Sequence, residues 1–242
     1  MVQRRLAVSL IAVVGALSLG GCRVTAPGAP VDSRSTAAKQ DAAALGPGRI
    51  YRVVADESLL QILAFRGGTL ARVGHNHVIA SRNLSGDIAV PSDRSQARFE
   101  LTIPVALLTI DEVSLRAAAG AEFVSEVSDS ARDGTRRNML GEAVLDAVRY
   151  PGIALRLVSL GAAAQTATGR GEQYAATIEV ALKGQRHAVR VPLRVSVEPD
   201  SLVAEGEFTL KQSELGLAPF SVMFGALTVQ DELRIKFSLT AR

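Results

Sequence analysis

From Ile50 onward, apolar and polar residues alternate along most of the chain. The final segment is the cleanest case. Leu227, Val229, Asp231, Leu233, Ile235, Phe237 and Leu239 share one face, while Thr228, Gln230, Glu232, Arg234, Lys236, Ser238 and Thr240 occupy the other. A period of two describes a β-strand with one face on a core and one in water. The same pattern runs through His187–Val197, Tyr174–Leu182, Leu202–Leu210 and Ala97–Val105. Less regular strands are expected near residues 50–56, 59–66, 84–90 and 153–160, and Lys183-Gly184-Gln185-Arg186 reads as a tight hairpin loop. About eight strands in sequential hairpin order, apolar on one face only, must close on themselves or stack on a second sheet. Long strands and short connections favour closure. The predicted fold class is all-β with a helical insertion, built as an antiparallel up-and-down barrel.

The insertion is where the period changes. Between about Asp111 and Tyr150 the spacing becomes helical, with Leu140, Val144 and Val148 four apart and Met139, Ala143 and Ala147 beside them. Asp129 or Asp133 is expected to cap the helix start, and Pro151 to prevent its continuation. Such an insertion would cover a side or a mouth of the barrel.

The N-terminus follows different rules. Arg4 and Arg5 precede a short uncharged run, Leu6 to Leu19, and small residues then lead into Cys22, the only cysteine. A positive start, a short apolar run and small residues describe a secretory signal peptide. The run is shorter than the roughly 20 residues that span a bilayer. Leu19-Gly20-Gly21-Cys22 resembles a bacterial lipobox, which implies that Cys22 is acylated and becomes the first mature residue. Residues 23 to about 48 carry Pro27, Pro30 and Pro47 without apolar periodicity, and read as a flexible tether. The expected organisation is a leader over 1–21, a lipid-anchored tether over 22–48 and a barrel over 49–242.

Composition narrows the function classes. The leader removes two of 27 basic residues and no acid, so the mature chain is nearly neutral overall and gives no support to nucleic-acid binding. With one cysteine an intrachain disulfide is impossible, and a hydrophobic core must carry stability alone. Aromatic residues are scarce (7 Phe, 3 Tyr, no Trp), so the interior is built mostly from small and branched side chains. There is no Gly-x-Ser-x-Gly elbow, phosphate loop or dinucleotide fingerprint, and the expectation is a protein that is not an enzyme and carries no cofactor.

An ordered set of short motifs carries a resemblance. Val73-Gly74-His75-Asn76-His77-Val78-Ile79 is followed by a strand containing Gly86, then by Phe99-Glu100-Leu101-Thr102-Ile103-Pro104-Val105. Later come Asn138-Met139-Leu140, Leu145-Asp146, Tyr150-Pro151-Gly152-Ile153, Leu182-Lys183-Gly184-Gln185 and Glu214-Leu215-Gly216-Leu217. In order and spacing this is similar to the YceI family over roughly residues 50 to 241. The resemblance implies a lipocalin-like barrel in the bacterial envelope that binds an isoprenoid or other long-chain amphiphilic lipid. The polar stretch Ser125–Arg137 departs from that pattern. Arg23, rather than aspartate, after the cysteine implies the periplasmic face of the outer membrane, or the outer face of the plasma membrane in a one-membrane cell. A homodimer is compatible with the sequence.

An eight-stranded barrel is either filled by its own side chains or holds one slender ligand. Candidate lipid-binding residues are Phe99 and Leu101 on an apolar strand face and Met139 and Leu140 in the insertion. Phe220, Met223 and Phe224 are added because two Phe and a Met in one loop are unexpected. Core packing explains the strand and helix residues equally well. A second reading builds a zinc or haem site on His75 and His77, with His187 as the only other histidine. A third is a solid barrel that serves as an interaction protein.

Overall fold

The computed structural model describes residues 45–165 and 171–242. The leader, Cys22 and the tether as far as residue 44 lie outside the described residues. Among the described residues, thirteen strand segments join one antiparallel sheet. They are β1 (Arg49–Arg52), β2 (Leu59–Gly67), β3 (His77–Ser81), β4 (Ser85–Val90), β5 (Arg98–Pro104), β6 (Thr109–Ile110) and β7 (Gly152–Leu160). The rest are β8 (Ala164–Gln165), β9 (Glu172–Leu182), β10 (Gln185–Val197), β11 (Leu202–Lys211), β12 (Ser221–Val222) and β13 (Leu227–Ala241).

Register shows why the count exceeds the expected eight. β1 pairs with β4 and β2 with β3, in nearly the same offset, so residues 49–67 and 77–90 form one long interrupted hairpin. β5 and β6 likewise continue one another along β4 and β3. With those pairs merged, and β8 and β12 counted as side branches, eight strands remain in sequential up-and-down order. β13 closes the ring by pairing with β2 and, through Ala241 and Val53, with the end of β1.

The wall has a seam between β10 and β11. β10 pairs with β11 only from Arg194 to Val197 against Leu202 to Glu205. Pro192 lies two residues before Arg194, its carbonyl directed at Gly206, and it has no N–H to continue the ladder on that side. Gly206 is also where Phe237 lies across the wall. A Cβ there would come 2.6 Å from both the Phe237 ring and the Pro192 carbonyl oxygen. Gly206→Ala is expected to cost about 1–3 kcal/mol in denaturant unfolding, the usual penalty of overpacking. An unchanged midpoint would show that both the Phe237 ring and the Pro192 carbonyl give way.

The Lys183-Gly184 turn joins β9 to β10 with both residues at positive φ (49° and 74°), the geometry that suits a two-residue hairpin. The helical insertion differs from expectation in extent. It contains α1 (Val113–Ala119) and α2 (Asp129–Leu140). Ser128, not Asp129 or Asp133, caps α2, its hydroxyl accepting from the Ala131 N–H at 3.3 Å. The helix ends at Gly141 rather than near Pro151, because the chain folds back: Leu145 and Ala147 N–H groups donate to the Met139 and Leu140 carbonyls. The four-residue spacing therefore serves separate environments. Val144 faces the barrel interior, whereas Val148 is 98 % exposed.

Candidate functional site

Inside the ring lies a cavity of about 330 Å³. Its wall is the set of inward faces that strand geometry places on one side: Ile178 and Val180 from β9, Val191 and Val195 from β10, Ala204 and Leu210 from β11, Ile235 and Phe237 from β13. Met139, Val144 and Leu145 of the insertion close one end together with Leu215 and Leu217. Arg94, Tyr174 and Ser238 are the only polar residues in the lining among the described residues. An apolar cavity of ~150 Å³ already stays dry and admits benzene. This one is about twice that size, and its chemistry suits a hydrocarbon guest.

The opposite end is guarded by charge. The Arg94 guanidinium and the Tyr174 hydroxyl both donate to Glu172 Oε2, each at 2.5 Å. These two hydrogen bonds lower the Glu172 pKa, with that from Tyr174 the larger influence. Burial and the bond to Glu172 raise the Tyr174 pKa.

A buried polar knot holds the insertion to the barrel. Asp111, 1 % exposed and at φ 55°, accepts from the Val78 N–H at 2.9 Å and from Arg116 at 2.6 Å through one oxygen. Its other oxygen lies 2.6 Å from His77 Nδ1. Arg116 also donates to the carbonyls of Asn76 and Ser125, and Asn76 donates to that of Glu122. One carboxylate thus joins β3 to α1, and Arg116 carries the link on to Ser125 before α2. Burial opposes ionisation of Asp111, but the hydrogen bonds from His77, Val78 and Arg116 outweigh it and lower its pKa.

The predicted site residues separate into three groups. Phe99, Leu101 and Met139 line the cavity. Leu140 packs on the core beside Met139 without reaching the lining. Phe220, Met223 and Phe224 lie outside it, with Met223 and Phe224 exposed to solvent. Most of the wall lies on strand faces that sequence reasoning read only as core. Alternation reports which side a residue faces, and a filled interior would produce the same pattern.

The histidines do not assemble. His75 and His77 have ring centroids 6.4 Å apart, but His77 is bound to Asp111, and His187 lies beside Gly216. Burial, then the charges of His77 and Arg116, hold the His75 pKa below its ordinary value. Among the described residues, no three His, Cys, Asp or Glu side chains are grouped to hold a metal.

Comparison with known proteins adds the family. A family model described as YceI-like domain matches residues 51–241. The chain belongs to the YceI-like family. No curated protein matches the sequence. Among solved structures, the YceI-like barrel is similar to Burkholderia cenocepacia BcnA, at 19 % identity and a TM-score of 0.53, over 78 % of this chain and 99 % of that one. A polyisoprenoid binding domain from Saccharophagus degradans aligns at 13 % identity and a TM-score of 0.49, covering 79 % of this chain and 97 % of that one. The matched YceI-like region begins at Tyr51 and ends at Ala241, and so takes in the ring from the middle of β1 to the end of β13.

Proposed function

We propose that this protein is a non-catalytic lipid carrier of the bacterial envelope, which holds the chain of one isoprenoid or fatty amphiphile inside its barrel. The carrying observation is the roughly 330 Å³ cavity with its apolar lining in a YceI-like ring. Each buried CH₂ contributes about 0.8 kcal/mol, so a few isoprene units offset the cost of ordering a flexible chain. No charged headgroup pocket is required, and selectivity among long-chain lipids is loose. Acylation of Cys22 would tether the carrier to the outer membrane, or to the plasma membrane in a one-membrane cell.

Solvent extraction of the purified protein followed by mass spectrometry tests the carrier. The expected result is a long-chain amphiphile recovered near one per barrel. Consistent recovery of none would overturn it. The anchor is tested separately by the N-terminal mass of membrane-extracted protein, which is expected to show a diacylglyceryl group on Cys22.

A further inference from the structure

The barrel end that carries the β2–β3 turn also carries the loop before β13, and the two are clamped together. The Leu70 N–H donates to the Ala226 carbonyl at 2.7 Å. Gly68, at φ 85°, lies so close that a Cβ would come 2.4 Å from that same oxygen. Together these turns present Leu70, Val73, Val222, Met223 and Phe224 to solvent. Phe224 is 112 % exposed, more than in an extended chain, and it forms a projecting tip.

The backbone beneath that tip is strained. Met223 and Phe224 both occupy the left-handed region, at φ 52° and 55°. Asparagine or glycine takes this conformation readily, whereas large apolar side chains do not. Strained, apolar and outward-facing residues at one turn point to a contact that favours them there. The charge pattern identifies the partner. The two turns that carry these side chains, Gly67–Asn76 and Ala218–Gln230, contain no acidic residue, and Arg72 stands between Leu70 and Val73. Glu214 and Asp231 border them further from the tip in the chain, and Glu122 meets them through its carbonyl, which accepts from Asn76. A narrow projecting point suits a fluid phase, since a stable protein interface requires a broad complementary face.

We propose that this tip docks the barrel on the surface of a phospholipid bilayer containing anionic headgroups, with Phe224 and Met223 inserted and Arg72 at headgroup level. The contact is independent of what the cavity holds. It is also compatible with a tether entering at the opposite end through β1.

The chain contains no tryptophan, so one substitution supplies a unique fluorophore. Full-length Phe224→Trp and Val158→Trp chains are bound to vesicles of phosphatidylethanolamine and phosphatidylglycerol with brominated acyl chains. Val158 is a half-exposed position on the β7 wall. Emission from the Phe224→Trp chain is expected to shift to the blue on vesicle addition and to be quenched several-fold more strongly than from the control. The quenching is expected to fall when phosphatidylcholine replaces phosphatidylglycerol, and to lose that dependence with Arg72→Gln. Equal quenching at both positions, or a Phe224→Trp emission that neither shifts nor is quenched on vesicle addition, would overturn the proposal. Lipid extraction from the same preparation reads cavity occupancy independently.

Discussion

Asp111→Asn is expected to lower the unfolding free energy at neutral pH by about 3–5 kcal/mol, the cost of leaving a buried charge without its partner. The uncompensated charge is Arg116, 6 % exposed, whose guanidinium has Asp111 as its ion-pair partner. Asparagine is the informative replacement because it tolerates the φ of 55° that Asp111 adopts, so the loss reports charge rather than backbone conformation. The effect depends on pH in a defined sense. The carboxyl has a lowered pKa in the folded state. Its contribution is therefore complete above the unfolded value of about 3.9 and is lost as the pH falls through the folded value. Urea unfolding of both chains is expected to show a wide gap at pH 7 that narrows towards pH 3. A gap below about 1 kcal/mol at pH 7, the scale of an exposed pair, would mean that the knot is not an energetic anchor.

Ala176→Phe is expected to abolish the lipid binding proposed for the barrel. Ala176 is 1 % exposed, lines the cavity, and stands between Val191 and Leu160 in the wall. A phenyl ring there occupies the space of roughly one five-carbon unit. At about 0.8 kcal/mol per carbon the loss is on the order of 4 kcal/mol, or about a thousand-fold in Kd. Ala175→Phe supplies the control, since the neighbouring side chain points outward and is exposed. Binding of a long-chain fluorescent lipid is expected to disappear in the first variant and persist in the second, with both still folded by circular dichroism. Full binding by a folded Ala176→Phe chain would place the ligand elsewhere.

Much of the architecture is legible in one dimension. The β9 face predicted as Tyr174, Ala176, Ile178, Val180 and Leu182 lines the cavity in full. On β13, Leu233, Ile235, Phe237 and Leu239 do the same. The interruptions were harder to see. β1 and β2 read as nearby short strands, and only their shared pairing with the β3–β4 strand makes them one. The turns after α2 eluded helical periodicity because Leu140, Val144 and Val148 are spaced like a helix face yet belong to a chain that doubles back. Likewise Phe220, Met223 and Phe224 are conspicuous as an apolar loop, but composition does not say whether such a loop turns inward or out.

By itself, the sequence determined the long strands from β9 to β13, their inward faces and their sequential hairpin order, because side-chain alternation and turn chemistry are properties of neighbouring residues, whereas β3 and β6 carried no such pattern. Only the tertiary structure decided that the interior retains space, that Asp111 joins His77 and Arg116 in one buried knot, and that Phe224 projects into solvent. Each of these depends on closure and register between segments far apart in the chain. The volume left inside a ring is a small difference between its circumference and the side chains that fill it, and no local pattern encodes that difference.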